Sequence, residues 1–524
     1  MKVQYKVDFD NLKGESTMEA LKHKYIDHNN LSIHLAEYSK DIIPKKVSMF
    51  FLALFVILLS ACSHKALVEY TPTAKDSYVI RNVSVFSALP GTPVREDMDV
   101  LIRNGIIDKI SGERLDIPPG AAVIDGRGRM LLPALTDFHT HTQPGMLIPW
   151  DLALMPTMTF NMEAFLYSGI VAVVDMSGDT PAKMKNIAQK IEAGRMVGPR
   201  LFHCGMGFTG KGSHPIPMYE KVKEKLPWII GILLPEIAIE VKDEGDMKRV
   251  DEHLAARTDF TKIFLDDLPD GTPKMKPEIV NAIVKRSHEK GLPVFIHISR
   301  NEDVRVAMDA GVDGLAHNVY KERLAPELAR ELARHNTFVV PTVYVFHNTN
   351  LFINEKSFYH HSRLEKETIP PDRLKALNQP KPFETETHDA WERYFRGFKE
   401  TYNGVIHPNV ATLKEAGVTI VAGTDSTNLG MATGGSLHTE LVHLVEGGLT
   451  PSEAIIAATS TPAKLIREVL KRDANFGTIE EGKSADLLLV NGDPTKNIRD
   501  TQNIVDVFYR GKRLIRHIPN PSDI

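Results

Sequence analysis

Residues Met130 to His141 read MLLPALTDFHTH, an apolar strand that runs directly into a pair of histidines. His139 and His141 are two residues apart, so on a strand both imidazoles point to the same face. Placed at the carboxyl end of that strand, the two rings can reach one cation. Taken alone, a His-x-His pair is weak evidence for a metal site, so the rest of the chain has to support it.

Outward from this stretch, short apolar strands alternate with amphipathic helices. The run IVAVVDMSG (170–178), for example, precedes the helix-like PAKMKNIAQKIEAG (181–194). Repetition of strand and helix about eight times indicates an α/β fold, which we predict to be a (β/α)8 TIM-type barrel. The alternative fold is an open, doubly wound parallel sheet.

The two ends of the predicted folded region differ from this interior. Residues 77–133 and 473–516 contain short β-type runs separated by Gly and Pro, which predicts a small β-sandwich domain built from both ends. The barrel is then expected over 134–472. Residues 348–408 have helical patches and no clear strand, and we interpret them as an insertion over the barrel mouth.

The N-terminal part of the chain indicates export. Residues 45–61 begin with two lysines and, after Val47 and Ser48, continue as MFFLALFVILLSA, a run too short to span a bilayer but typical of a signal peptide. The run ends in LSAC, which resembles a bacterial lipobox, and this implies a lipid anchor at Cys62 and a location in the bacterial cell envelope. Residues 62–76 are then a tether, and residues 1–44 an upstream extension from a misplaced translation start.

Composition excludes several classes of protein. The chain has 524 residues, 42% of them hydrophobic and 25% charged, which is ordinary for a globular protein. Its 63 Lys and Arg against 67 Asp and Glu give a net charge of −4, with no basic excess to attract nucleic acid. Two cysteines cannot form a disulfide framework.

Four more ionisable side chains stand at or near the ends of other predicted strands. They are Lys262 in FTKIF, His297 in PVFIHIS, His317 in GLAHN and Asp425 in VAGTDS. One such histidine is more often a core or surface residue than a ligand. Side chains from different strands converge at the mouth of a barrel, however, so six such groups together predict a single site.

At this level the sequence resembles the amidohydrolase superfamily, and within it the imidazolonepropionase-like and Xaa-Pro dipeptidase-like branch. The resemblance extends over about residues 77–515 and rests on IDGRGRMLLPALTDFHTH, TKIF, PVFIHIS, DGLAHN, GTDS and the final GTIEEGKSADLLLV. It implies a metal-dependent hydrolase of C–N amide bonds that uses a metal-bridging hydroxide.

The resemblance also implies a role for each polar residue. His139 and His141 would bind the first of two divalent ions, expected to be Zn²⁺, and His297 and His317 the second. Lys262, carboxylated by CO2 to a carbamate, would bridge both ions. Asp425 would bind the first ion and transfer protons.

Electrostatics supports such a set of ligands. Two Zn²⁺ ions carry four positive charges that neutral imidazoles do not cancel, so anionic ligands are needed. The Asp425 carboxylate and a carbamate on Lys262 would provide two of them. Carbamate formation requires a neutral amine, and burial in an apolar strand lowers the pKa of a lysine.

The substrate is expected to be a small molecule or peptide: a dipeptide, an N-acyl amino acid or a cyclic amide. His214 in GKGSHP and Tyr344 in PTVYVF, on predicted strand seven, are candidate substrate contacts. Two other functions stay open, a mononuclear deaminase or cyclic-amide hydrolase with a structural Lys262, and a tethered binding protein without catalysis. The chain is also a candidate homo-oligomer.

Overall fold

The computed structural model describes residues 66–70, 77–143, 158–225, 236–355, 362–371, 374–375, 396–428 and 430–518. Cys62, the predicted signal peptide and the predicted upstream extension lie outside the described residues, as does most of the predicted tether. Among the helices that are described, none is long and apolar enough to cross a membrane.

The described strands, in chain order, are β1 (Val68–Tyr70), β2 (Ser77–Val85), β3 (Arg95–Arg103), β4 (Ile106–Ser111), β5 (Ala122–Asp125), β6 (Arg129–Pro133), β7 (Leu135–Thr140), β8 (Ile170–Asp175), β9 (Arg200–His203), β10 (Gly207–Gly210), β11 (Ala238–Val241), β12 (Thr261–Phe264), β13 (Val294–His297), β14 (Gly314–Leu315), β15 (Phe338–Val339), β16 (Leu487–Asn491), β17 (Ile504–Tyr509) and β18 (Lys512–Arg516).

The described α-helices are α1 (Met158–Tyr167), α2 (Pro181–Glu192), α3 (Ile216–Lys225), α4 (Met247–Ala255), α5 (Pro277–Glu289), α6 (Asn301–Ala310), α7 (Pro326–Arg334), α8 (Val343–Glu355), α9 (Arg363–Glu367), α10 (Arg396–Glu415), α11 (Gly435–Glu446), α12 (Pro451–Ala457) and α13 (Ser460–Glu468).

Strands from both ends of the described chain form one nine-stranded sheet. Its order is β1-β18-β17-β16-β6-β2-β3-β4, and β5 pairs with β2. The two ends join where β16 runs antiparallel to β6. Buried apolar side chains from both ends, such as Ile80, Leu131 and Phe508, pack in one cluster. The division of the chain into a sandwich and a barrel domain stays a prediction.

The strands of the interior pair in parallel. One sheet has the order β7-β8-β9 and a second the order β11-β10-β12-β13-β14-β15. Residues 419–426 lie between the two sheets, since Ile420 bridges Val339 of β15 and Ser426 bridges Thr140 of β7. Because parallel strands share one direction, their carboxyl ends, and the polar residues found there, are brought to the same side.

An aromatic layer fills the space beneath those polar residues. Phe260 stacks on Phe295 with ring centroids 4.6 Å apart, and Phe338 makes edge contacts with Phe295 and Phe138. Phe295 precedes His297 by two residues on β13, so both side chains lie on one face of the strand. This buried layer excludes water beneath the histidines and strengthens the electrostatic interactions between them.

The predicted strand PTVYVF is wrong, because β15 ends at Val339 and helix α8 begins at Val343. β-branched residues favour a strand, but tertiary contacts override that preference. The Glu440 carboxyl group of α11 accepts hydrogen bonds from the backbone N–H groups of Val343 (3.0 Å) and Tyr344 (2.7 Å). It satisfies two free N–H groups of the first turn and places a carboxyl group at the helix N-terminus.

Candidate metal centre

Three side chains from two strand ends form the first group: His139, His141 and Asp425. The Asp425 Oδ1 atom lies 2.8 Å from His141 Nε2 and 3.3 Å from His139 Nε2. Asp425 has a φ of 56°, in the left-handed region that Asp tolerates better than most residues. Its backbone N–H donates to the His139 carbonyl at 2.7 Å, which fixes the carboxylate against β7.

The histidine rings are oriented by their other nitrogen atoms. His139 Nδ1 lies 2.6 Å from the Ala316 carbonyl oxygen, and His141 Nδ1 lies 2.8 Å from that of Ser177. A carbonyl oxygen only accepts hydrogen bonds, so each Nδ1 carries the proton. In the neutral rings each Nε2 is then an acceptor that faces the Asp425 carboxylate. This is the arrangement by which proteins orient metal-binding histidines.

The first group has the donor set of a cation site. His139 Nε2 is buried and has no hydrogen-bond partner among the described residues. The neutral His139 ring and the Asp425 carboxylate thus present two acceptors to each other with no donor between them, and a divalent cation placed there removes their repulsion. The three residues therefore fit a bound divalent ion.

The pKa shifts in and around this group agree with metal ligation. Burial, and next the charge of Lys262, lower the pKa of His139 to about 4, so this ring is neutral at pH 7. Burial opposes ionisation of Asp425, but the His139 and His141 side chains bring its pKa well below the usual range. Burial also opposes protonation of His141, yet Asp425 raises its pKa. A metal ion would displace that His141 proton.

His317 extends the first group toward β13. It follows β14 by two residues, and its Nε2 lies 4.0 Å from Asp425 Oδ2. Its Nδ1 lies 2.7 Å from the Thr342 hydroxyl, and its ring centroid is 4.7 Å from that of His139. Burial and the neighbouring histidines His297 and His139 hold its pKa well below the usual range.

Lys262 lies within β12 and is almost fully buried. Its Nζ atom is 3.9 Å from Met176 Sδ and 5.2 Å from the centroid of the Phe264 ring. It forms no salt bridge with a described residue, and burial lowers its pKa to about 8. A buried amine without a carboxylate partner has a larger neutral fraction than an exposed lysine, which is the form that reacts with CO2.

A second group consists of His214, Asp266 and His297. His297 Nε2 is 2.8 Å from Asp266 Oδ2, and the rings of His214 and His297 are 5.1 Å apart between centroids. The Tyr320 hydroxyl donates to Asp266 at 2.5 Å, and Lys321 Nζ lies 3.5 Å from its other oxygen. One suitably placed atom of each member lies within 4.8 Å of the others, so this group also fits a cation.

Comparison with known proteins identifies the family. Residues 130–514 of the chain match the amidohydrolase family. The chain belongs to this family. An uncharacterized protein of Mycobacterium bovis is 24% identical over 280 residues, which are 52% of this chain and 63% of that protein. The match thus spans less than two thirds of the length of this curated relative.

Solved structures show the same fold. A Xaa-Pro dipeptidase with bound methionine in its active site has a TM-score of 0.64 and 22% identity, over 84% of this amidohydrolase and all of that chain. Molinate hydrolase has a TM-score of 0.64 and 19% identity, over 84% of this chain and 95% of that one. The predicted superfamily is confirmed, and the fold is TIM-barrel-like α/β.

The structure places the predicted substrate residues of this amidohydrolase differently. His214 lies beside His297 in the second group, and burial, then the charge of His297, lower its pKa to about 3. Tyr344 is buried in α8, its ring stacks on His443, and its hydroxyl group interacts with Glu365. These contacts assign Tyr344 to the packing of helices, and its role in substrate binding stays a prediction.

Two buried carboxyl groups at this centre had no role in the sequence analysis. Asp266 follows β12 by two residues, and the doubled Asp266-Asp267 after a strand that contains Lys262 was the available signal. Asp137 accepts hydrogen bonds from the Thr424 hydroxyl (2.7 Å) and backbone N–H (3.0 Å). It thereby fastens β7 to the segment that carries Asp425. Burial raises the pKa of Asp137 to about 7.

Proposed function

We propose that this amidohydrolase hydrolyses a C–N amide bond of a small molecule or peptide in a metal-dependent reaction. The observation that carries the proposal is the first group, in which two oriented imidazole nitrogens converge on one buried carboxylate and the His139 nitrogen has no hydrogen-bond partner among the described residues. An idle pocket has no reason to hold these desolvated acceptors together, because burying them costs free energy.

We place two divalent ions at the strand ends. His139, His141 and Asp425 would hold one, and His297 and His317 the other, with a carbamate on Lys262 between them. When bound, such ions supply a Lewis acid for the scissile carbonyl and lower the pKa of water. The parallel strands of the two interior sheets and residues 419–426 would close as one barrel around this centre.

The protein's own groups account for orientation and proton transfer in this proposal. Asp425 accepts a proton from the attacking water and passes it to the leaving nitrogen, a role that needs a carboxylate kept ionised in a dry site. The carbonyl oxygens of Ala316 and Ser177 hold the His139 and His141 rings in position. The aromatic layer beneath excludes bulk water.

We favour peptide-like substrates; of the fold relatives named above, one is a Xaa-Pro dipeptidase and another is molinate hydrolase. A dipeptide or an N-acyl amino acid fits a lipid-anchored protein of the cell envelope. Cys62 would carry the anchor, so the Cys62→Ser variant should leave the membrane fraction for the soluble one. Unchanged membrane association would remove this part of the proposal.

One observation favours a second candidate, a mononuclear enzyme of the same family. His297 Nε2 is already bonded to Asp266, and Lys321 and Tyr320 also contact that carboxylate. If His297 keeps this contact with Asp266, its Nε2 atom is not available to a metal ion. The centre would then hold one ion, at the first group, and Lys262 would have a structural role. The number of ions that the centre binds separates the two candidates.

The activity test uses the full chain, purified without chelator and with bicarbonate present. Hydrolysis of a panel of dipeptides, N-acyl amino acids and cyclic amides is measured before chelation, after chelation and after return of Zn²⁺. Activity that is lost on chelation and restored by the metal supports the proposal. Hydrolysis that persists in chelator, or none on any member of the panel with metal bound, contradicts it.

A further inference from the structure

A third set of side chains that could bind a metal ion belongs to two neighbouring helices rather than to strand ends. The outer cluster comprises His407 of α10 and His443 and Glu446 of α11. His443 Nδ1 is 3.1 Å from His407 Nε2 and 3.1 Å from Glu446 Oε2, and the latter two atoms are 3.6 Å apart. The same three atoms therefore form all three edges of one small triangle.

With neutral rings, ordinary hydrogen bonds do not satisfy all three edges of this triangle. If His407 donates to His443 Nδ1, then that nitrogen is an acceptor and repels the Glu446 oxygen beside it. If His443 Nδ1 donates to Glu446, then His407 Nε2 has to share the same proton. In neutral rings at least one close contact is left without a well-directed proton.

The dimensions of the triangle are those of zinc ligands. Ligands about 2.0–2.1 Å from a tetrahedral zinc ion are about 3.3 Å from one another. The observed edges of 3.1, 3.1 and 3.6 Å bracket that value. Two imidazoles and one carboxylate are also a ligand set that suits zinc and its neighbours in the first transition row.

The helices hold this triangle in place. His443 and Glu446 are three residues apart on α11, which puts both side chains on one face. Just after the end of α11 the chain approaches α10 closely, since a Cβ atom at Gly447 would lie 2.8 Å from the Cβ of Val410. The His443 side chain is 8% exposed, that of His407 30% and that of Glu446 48%. The site is thus built on a rigid helix pair and is open to solvent on the Glu446 side.

We propose that His407, His443 and Glu446 bind one divalent ion of the zinc class, with water as the fourth ligand. The ion clamps α10 to α11, the helices that precede and follow the segment carrying Asp425. This site is additional to the proposed centre and does not depend on it, because it shares no residue with either group.

The test compares Zn²⁺ bound per chain in the full-length protein, the His407→Ala variant and the Glu446→Gln variant, after equilibration with Zn²⁺ and removal of free metal. We expect His407→Ala to bind one ion fewer than the parent protein. Glu446→Gln changes an exposed side chain, keeps the fold by circular dichroism, and should weaken the affinity for that ion at least tenfold. With Co²⁺ as the probe, the parent should show visible absorption of a tetrahedral ion that both variants reduce.

The matched control is His288→Ala, which removes an exposed histidine paired with Asp313 at 3.0 Å on a different helix. Equal zinc content in the parent and both cluster variants would overturn the proposal. An equal loss in the His288→Ala protein would overturn it as well. The test measures the difference in zinc content between the parent protein and its variants. This difference is unaffected by whether the strand-end centre binds two ions, one or none.

Discussion

Asp425 of the first group and Asp266 of the second are both buried beside histidines, yet their charges are neutralised differently. Asp425 has only imidazoles within salt-bridge distance among the described residues, at 2.8, 3.3 and 4.0 Å. Asp266 has His297 at 2.8 Å, the Tyr320 hydroxyl at 2.5 Å and the Lys321 ammonium at 3.5 Å. The carboxylate of the second group therefore already faces a cation, the Lys321 ammonium, whereas the carboxylate of the first group faces none among the described residues. A metal ion should matter most at Asp425, and Asp266 should act mainly by orienting His297.

The largest effect is expected for Asp425→Asn. The amide keeps the shape of the side chain but cannot accept the proton, so turnover should fall by about 10³-fold, within the range for loss of a general base. Initial rates on the best substrate of the panel measure it, with metal content and circular dichroism as controls. Near-normal turnover would remove Asp425 from proton transfer.

Lys262→Ala is expected to have the next largest effect. Without a carbamate the two metal ions lose the anionic ligand that they would share. Metal content should therefore fall, and activity should drop by about 10²-fold. A short carboxylic acid such as propionate should restore part of both, because it supplies an anion in the space left by the side chain. If metal content and activity are unaffected, Lys262 is outside the site.

A smaller effect is expected for Asp266→Asn. A residue that orients a metal-bound histidine typically contributes 10- to 100-fold in affinity or activity, and we expect a loss of about tenfold here. The hydrolysis rate and the zinc affinity of Asp266→Asn, measured in parallel with those of Asp425→Asn, test the difference between the two carboxyl groups directly. A loss for Asp266→Asn as large as that for Asp425→Asn would mean that the two carboxylates have equivalent roles.

Glu440 extends the comparison to a buried carboxyl group with no imidazole partner. Burial raises its pKa from 4.5 to about 8, although the N–H groups of Tyr344 and Val343 oppose this. The folded state thus holds the proton more tightly than the unfolded state. Stability from this group is complete below about pH 4.5 and is lost as the pH rises to about 8.

Urea unfolding at pH 5 and pH 8 tests this smallest effect. The Glu440→Gln variant cannot titrate at this position, so its stability should decline less between the two values than that of the parent protein. The exposed Glu302→Gln variant serves as the control and should follow the parent. A decline of the same size in Glu440→Gln and in the parent would show that Glu440 is ionised in the folded protein.

Much of the centre could be predicted because its residues follow a local rule. His139, His141, His317 and Asp425 stand at or just beyond the ends of short apolar strands, and parallel strands bring those ends together. Asp266 also follows a strand, but its importance depends on its contacts with His297, Tyr320 and Lys321. Those contacts come from segments that are 31 to 55 residues away in the sequence.

The errors and omissions have a common physical origin in contacts between distant segments. PTVYVF has the composition of a strand, and the Glu440 carboxyl group, almost 100 residues further on, explains why a helix begins there. His407 and His443 are 36 residues apart on separate helices. Neither position has a local pattern that distinguishes a ligand from a surface histidine. Helix packing decides both cases, and it cannot be inferred from a single sequence.

The most direct test of the metal centre is the zinc content of the His407→Ala protein, in which the outer cluster is removed. The full chain is purified without chelator, with bicarbonate present, and its metal is measured by mass spectrometry. We expect two ions per chain, and a protein with Lys262→Ala added should hold fewer. Absence of bound metal, even after Zn²⁺ is supplied, would contradict the central claim that these histidines and Asp425 form a metal centre.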